Sequence, residues 1–145
     1  VAQDAADIGH VIADASVAGL SPEGWARAVA KCAAKHGADK VVAEKNQGGD
    51  MVKSVLRAAD IAMRVRLVHA SRGKAARAEP VAALYEAGRV KHAGRFPALE
   101  DELCGLSAGG GYDGPGRSPD RADALVWALT ELMLGRKVEP RVRVV

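Results

Sequence analysis

The chain has 145 residues, of which 48% are hydrophobic and 27% are charged, and its net charge is +3. This balance indicates one folded domain with a single core and excludes a disordered protein. Aromatic residues reach only 3% and cysteines number two, so a base-stacking surface, a disulfide framework and a zinc site are excluded.

The first predicted elements are a short strand and a helix. Residues 1–10 are small and polar without a period, and the apolar run over 10–13 predicts the strand. Ser21-Pro22-Glu23 predicts the start of the helix, because serine caps helix N-termini and proline is favoured at the first helical position. Gly37 is predicted to end this helix.

Residues 41–68 predict a strand, a helix and a second strand. The apolar run over 41–43 is typical of a buried strand, which places Glu44 at its end. A turn cluster over 46–50 precedes the apolar stripe of the helix. Residues 64–68 alternate polar and apolar side chains, as a half-buried strand does.

The next stretch predicts a helix from about 75 to 87, a strand over 89–92 and a small helix over 99–106. Gly88 closes the first of these helices. Residues 107–118 are rich in glycine and predict a mobile loop.

Pro119 begins the last predicted helix, and residues 136–145 look like a tail. We therefore predict one domain over residues 1–135. Its class is α/β, with a sheet that is largely parallel in its second half and helices on its faces. No apolar run could span a membrane and no basic-then-apolar leader is seen, so we expect a cytoplasmic protein.

Basic and acidic side chains are segregated along the chain. Residues 61–78 contain no acid, and their basic side chains are Arg64, Arg66, His69, Arg72, Lys74 and Arg77. The acids cluster elsewhere, over 100–102 and at Asp120 and Asp123. This pattern suits a polyanionic substrate beside an acidic metal site, and a solvated charged face is the alternative interpretation.

Three acids are candidates for chemistry. Glu44 follows a buried strand, at the edge of the sheet where α/β proteins bind ligands. Asp120 and Asp123 lie three residues apart at a helix start and therefore share one face, where a divalent cation would relieve their repulsion. The plainer alternatives are a surface acid after a strand and two acids that favour the helix dipole.

Other chemistries have no support in the sequence. The histidines are scattered and no serine or cysteine lies in a nucleophile elbow, so triad catalysis is disfavoured. No phosphate-binding P-loop pattern occurs, so we do not expect ATP hydrolysis by this chain.

Several segments follow one another in order through most of the chain: VAEKNQGGDMV (42–52), ASRGK (70–74), RAEPV (77–81), LYEAGRV (84–90), Phe96, LED (99–101) and SPDRADALVWA (118–128). Together they resemble the C-terminal nuclease domain of the large terminase subunit of phages, prophages and gene transfer agents. The resemblance implies an RNase H-like mixed sheet flanked by helices. It also implies an endonuclease that cuts concatemeric double-stranded DNA during genome packaging.

The resemblance implies a carboxylate cluster that holds two divalent ions. Glu44 matches the family's acid on the central strand, and Asp120 and Asp123 match the acids that open the final helix. Hard oxygen ligands select Mg²⁺ or Mn²⁺ over zinc, and two such ions hydrolyse a phosphodiester by activating water and stabilising the leaving oxygen.

The resemblance also implies which molecules the chain contacts. The basic residues expected to meet the DNA backbone, without reading sequence, are Lys45, Arg72, Lys74 and Arg77. The implied partners are double-stranded DNA, an N-terminal ATPase domain of the same protein, the portal protein and the small terminase subunit. The implied compartment is the cytoplasm of a bacterial host cell, with no membrane partner.

The chain departs from the family at one point. The family's first catalytic aspartate lies on a strand that would precede Val1, so we expect a sheet lacking its first strand or strands and a chain impaired in hydrolysis. Asp4, Asp7 and Asp14 do not match that position. A non-catalytic DNA-binding or portal-docking module is therefore an alternative, and a resolvase of branched DNA is a weaker one.

Overall fold

The computed structural model describes residues 1–45, 49–107 and 111–135. The strands are β1 (Ala2–Gln3), β2 (Gly9–Val11), β3 (Val41–Glu44), β4 (Val65–Val68) and β5 (Val90–His92). The helices are α1 (Pro22–His36), α2 (Gly49–Ala59), α3 (Lys74–Glu86), α4 (Pro97–Cys104) and α5 (Asp120–Leu129), and α5 continues into a π-helical segment, Thr130–Leu134. The predicted α/β class is confirmed.

The strands and helices predicted after residue 9 are present, with ends moved by one or two residues. The cap prediction for α1 is also confirmed, since Ser21 Oγ accepts a hydrogen bond from the Gly24 amide at 3.2 Å. Gly37 follows the helix in the left-handed conformation, with φ 59°. The predicted tail over 136–145 lies outside the described residues, as do the centres of the 46–50 turn and of the 107–118 loop.

Strand β1 was not predicted, because residues 1–10 show no hydrophobic period. A tight turn forms it: Asp4 Oδ1 accepts hydrogen bonds from the amides of Ala6 and Ile8, at 2.9 and 3.0 Å. The turn brings Ala2 opposite His10 in an antiparallel pair. Side chain to backbone bonding of this kind leaves no periodic signal in a sequence.

The strands of the described residues form two sheets rather than the single sheet expected from the alternation. One has the order β1-β2-β5, with β1 antiparallel and β5 parallel to β2. The other pairs β3 with β4 in parallel, and its last register pair is Glu44 with Val68. No described strand of one sheet forms backbone hydrogen-bond pairs with a described strand of the other, so the two sheets are separate.

Each sheet has its own apolar core, rather than the single core expected from the length and composition of the chain. The larger core packs α3, α4 and α5 on the three-stranded sheet through Val11, Val81, Leu84, Val90, Leu99, Leu125, Val126 and Leu129. The smaller core packs α1 and α2 on the β3-β4 pair around Ala26, Leu56 and Met63. Burial of these side chains is the main driving force that orders both groups.

Ion pairs join the β3-β4 sheet to the C-terminal helical segment, which packs with the three-stranded sheet. Glu131, in the π-helical segment, binds Lys40 Nζ through Oε1 at 2.6 Å and Arg66 Nε through Oε2 at 2.8 Å. Lys40 precedes β3 and Arg66 lies within β4, so this acid fastens the second sheet to the C-terminal helix. In the described part of the chain, the helices are too short or too polar to cross a membrane.

Candidate functional site

Two faces of neighbouring helices meet at the site. Asp120, Asp123 and Trp127 recur at helical spacing along one face of α5. Lys74 and Arg77, three residues apart in the first turn of α3, lie opposite them. Each acid of α5 therefore meets one base of α3.

The pair between Arg77 and Asp123 is buried. The Arg77 Nη2 atom lies 2.6 Å from Asp123 Oδ1, and the two side chains are only 11% and 8% exposed. The guanidinium also donates to the Arg72 carbonyl through Nη1, whereas Nε is buried without a partner among the described residues. Arg77 is thus fixed at two points, and its charge is matched by Asp123.

The pair between Lys74 and Asp120 is open to solvent. Lys74 Nζ lies 2.8 Å from Asp120 Oδ1, and the aspartate is 79% exposed. Ser118 Oγ bonds both groups, at 2.6 Å from Nζ and 2.7 Å from Oδ1. The hydrogen bond from Lys74, followed by that from Ser118, lowers the pKa of Asp120 below its ordinary value.

Glu44 joins the site through Trp127. The glutamate ends β3, and its Oε2 atom accepts a hydrogen bond from Trp127 Nε1 at 3.3 Å. The guanidinium carbon of Arg77 lies 5.0 Å from the centroid of the Trp127 ring, in a cation–π contact. A continuous series of contacts therefore runs from Glu44 through Trp127 and Arg77 to Asp123.

The acidic rim (Glu44, Asp120 and Asp123) supplies the oxygen donors that Mg²⁺ and Mn²⁺ prefer. Within residues 1–45, 49–107 and 111–135, however, no three acid, histidine or cysteine side chains lie close enough together to hold one ion. The two α5 acids are instead balanced by the bases of α3. The described arrangement does not fit a preformed two-metal site.

The four expected DNA-contacting residues divide into two groups. Lys45 and Arg72 are exposed, Lys45 directly after Glu44 and Arg72 just before α3. Lys74 is 35% exposed and Arg77 is 11% exposed, and both are bound to acids of α5. In the described conformation Arg77 therefore serves as an internal counterion rather than as an exposed phosphate ligand.

Glu102 of α4 holds the start of α5. Its Oε2 atom accepts hydrogen bonds from the amides of Arg121 and Ala122, at 2.7 and 3.1 Å, and Oε1 accepts one from Arg121 Nη1 at 3.0 Å. These amides belong to the first turn, whose donors have no partner inside the helix. Pro119, which precedes α5, makes no side-chain cap. The buried Glu102 caps the helix instead and so positions Asp120 and Asp123.

His92 belongs to a separate polar group. Its Nε2 atom lies 2.7 Å from the Tyr85 hydroxyl and its Nδ1 atom lies 3.0 Å from Glu100 Oε1. Glu100 also accepts from the Phe96 amide at 3.1 Å, and this bond, with that to His92, lowers the pKa of Glu100. Burial, with the nearby Glu100 charge, raises the pKa of Tyr85 to about 12. The group ties α3, β5 and α4 together.

The lowered pKa values of Asp120 and Glu100 predict acid-sensitive stability. The stability that these two carboxylates contribute is complete above their ordinary pKa values, 3.8 for aspartate and 4.5 for glutamate. It is lost as the pH falls through their lower pKa values in the folded state. We expect the free energy of unfolding, measured in urea, to be level near neutrality and to fall below about pH 4.5. Asp120→Asn should be less stable than the parent at pH 7 by less than about 1 kcal/mol, because the pair is exposed. The two curves should converge once the pH has fallen below the lowered pKa of Asp120; a constant gap at every pH would contradict the assignment.

Sequence reasoning missed three residues of this site. Trp127 lies four residues after Asp123, so helical spacing alone could have placed it on the same face. The capping role of Glu102 and the bridging role of Ser118 depend on which helix packs against which. No local sequence pattern predicts contacts between two helices of this kind.

Comparison with known protein families identifies the chain's family. A family model described as a terminase RNaseH-like domain matches residues 1–132. Neither the curated proteins nor the solved structures include a significant match to the chain. The family match covers the acidic rim, the α3 bases and the Glu102 cap. The chain therefore belongs to the terminase RNaseH-like family.

Proposed function

We propose that this domain is an endonuclease that cleaves concatemeric double-stranded DNA during phage-like genome packaging. Family membership supports a nuclease role of the terminase type. The observation that carries the assignment to particular residues is the series of contacts joining Glu44, at the end of β3, to Asp123 on α5. It connects two acids that are far apart in the chain.

We propose Mg²⁺ or Mn²⁺, with two ions expected, as the cofactor of this reaction. The acidic rim offers only carboxylate oxygens, which suit these hard cations and not zinc. Lys45, directly after Glu44, and Arg72, just before α3, are exposed and would supply positive charge for the phosphate backbone. Contacts of this kind position DNA without reading its sequence.

Packaging also requires partners, and these follow from the family alone. We propose that the domain works with an N-terminal ATPase domain of the same protein, the portal protein and the small terminase subunit. Its site of action would be the cytoplasm of a bacterial host. Association with the portal and the small subunit is testable by co-purification.

The experiment that tests the nuclease assignment is nicking of supercoiled plasmid with Mn²⁺. We expect the parent chain to nick slowly, as a chain impaired in hydrolysis would, and Glu44→Gln and Asp123→Asn to fall to the background level. Asp101→Asn is the matched control, because it removes an exposed acid outside the rim. Equal nicking by all four proteins would remove the acidic rim from the mechanism.

A second candidate is a DNA-binding module that does not cleave. The balancing of the α5 acids by Lys74 and Arg77 favours it. This candidate predicts binding of duplex DNA that weakens steeply with salt and no product with any divalent ion. Four-way junctions compared with linear duplex in the same assay test the resolvase alternative.

A further inference from the structure

Helix α1 carries a row of exposed bases. Arg27, Lys31 and Lys35 follow one another at intervals of four residues, and all three side chains are exposed. Residues at this spacing share one face of a helix, so the three form a basic stripe (Arg27, Lys31 and Lys35) along the solvent side of α1. Residues 24–38 contain no acid. The stripe is therefore a surface of one sign.

No acid balances the basic stripe. Among the described residues, none of its three bases forms an ion pair with a carboxylate, whereas Lys40 and Arg66, for example, are paired. Like charges four residues apart destabilise a helix. The helix dipole accounts for Lys35, in the last turn, but not for Arg27 and Lys31, which precede that turn. Stability of the fold alone gives no reason for this arrangement.

The basic stripe lies on the opposite side of the β3-β4 sheet from the candidate site. Successive side chains of a strand point to opposite faces of the sheet. Val41 and Ala43 belong to the core that α1 and α2 cover. Glu44, the next residue, therefore points to the other face, where it meets Trp127. A phosphate bound to the stripe would thus belong to a different stretch of DNA from one held at the acidic rim.

We propose that the basic stripe is a second contact surface for duplex DNA, which binds the phosphate backbone without reading sequence. The inference rests on the proposed function for the choice of ligand, because a domain that cleaves duplex DNA works on a polyanion. Steps of four residues place neighbouring bases about 6 Å apart, so the stripe extends over about 12 Å of the helix axis. Duplex DNA presents about seven phosphates over that length.

Without a metal ion, phosphate meets less negative charge at the basic stripe than at the candidate site. At the site, Lys45 directly follows Glu44, and the Asp120 side chain is 79% exposed. Carboxylates so placed repel a phosphate backbone. Residues 24–38 of the stripe's own helix segment offer no such repulsion. We therefore expect the stripe to supply most of the affinity for DNA that is measured in EDTA.

The test is binding of a short fluorescein-labelled duplex, followed by anisotropy in EDTA so that no cleavage occurs. Arg27→Gln combined with Lys31→Gln should weaken binding by about tenfold near 0.1 M salt. It should also reduce the slope of log K against log salt concentration by about 2, because two phosphate contacts are lost. Lys91→Gln combined with Arg95→Gln removes the same two kinds of base from exposed positions elsewhere, and both quantities should stay near the parent values.

Two further measurements separate DNA contact from a structural role. Arg27→Lys combined with Lys31→Arg keeps both charges and should bind DNA as the parent does. The glutamine double variant of α1 should melt at the same temperature as the parent or higher, since it removes a repulsion between like charges. Lower melting temperature with unchanged DNA binding would show that the stripe stabilises the fold, and the inference would be overturned.

The remaining outcomes distinguish this inference from the proposed nuclease. Equal DNA affinities for the α1 variant and the Lys91 and Arg95 control, or no binding of duplex by the parent at low salt, would overturn the stripe as a DNA surface. Nicking by the parent with Mn²⁺ would still support the nuclease. Stripe-dependent binding without nicking would overturn the nuclease alone. If the α1 variant loses affinity for poly-L-glutamate but not for duplex DNA, the stripe fits an acidic protein segment and the DNA assignment is wrong.

Discussion

Glu102→Ala is expected to lower the free energy of unfolding by about 2–4 kcal/mol, because it removes a buried charged acceptor from several donors at once. The amides of Arg121 and Ala122 would remain at the start of α5 without an acceptor. Among the described residues, the Arg121 guanidinium would lose its bond to Glu102 Oε1 and keep the ion pair with Asp14, at 3.2 Å. Urea unfolding followed by circular dichroism measures the loss.

Two further variants separate the cap from general effects of charge. Asp101→Ala removes the preceding carboxylate, which is exposed on α4, and should change the stability by less than about 0.5 kcal/mol. Glu102→Gln keeps one amide oxygen for the helix but turns an NH₂ group toward Arg121, so an intermediate loss is expected. Equal losses for Asp101→Ala and Glu102→Ala would show that Glu102 does not act as a cap.

Much of the fold could be predicted because its elements carry their own signals. Ser21 and Gly37 mark both ends of α1, and the apolar run before Glu44 marks β3. Local sequence signals do not predict features that depend on contacts between distant parts of the chain. Strand β1 depends on the Asp4 turn, and the division into two sheets depends on which strands find hydrogen-bonding partners, which alternation alone does not specify.

The candidate site was predictable in its residue types but not in its pairing. The segregation of the basic tract from the acids suggested two surfaces, one for phosphate and one for metal. The packing of α3 on α5 instead brings opposite charges into contact, as Arg77 and Asp123 show. Arg66, in the same basic tract, likewise pairs with an acid that is distant in the chain, Glu131. Charge patterns give the sign of a surface, whereas partners depend on tertiary packing.

The coupling between Arg77 and Asp123 is expected to be the strongest of any ion pair in the described residues. Arg77→Gln should lower the free energy of unfolding by about 3–5 kcal/mol, because it leaves a buried carboxylate without a counterion. Asp123→Asn leaves the buried guanidinium unmatched and should cost a similar amount. The double variant should be more stable than the sum of the single losses predicts, by about 1–3 kcal/mol, since neither charge then remains alone.

The pair between Lys74 and Asp120 is the internal control for this cycle. It joins the same two helices one turn away, but the aspartate is 79% exposed. Water replaces either partner there, so the coupling from Lys74→Gln and Asp120→Asn should be below about 1 kcal/mol. Both pairs have the same formal charges and the same spacing; they differ in burial and in the base, which is a guanidinium in one and an ammonium in the other. Equal coupling energies would mean that Asp123 is well hydrated in solution. The large loss of stability expected from removing either member of its pair would then be wrong.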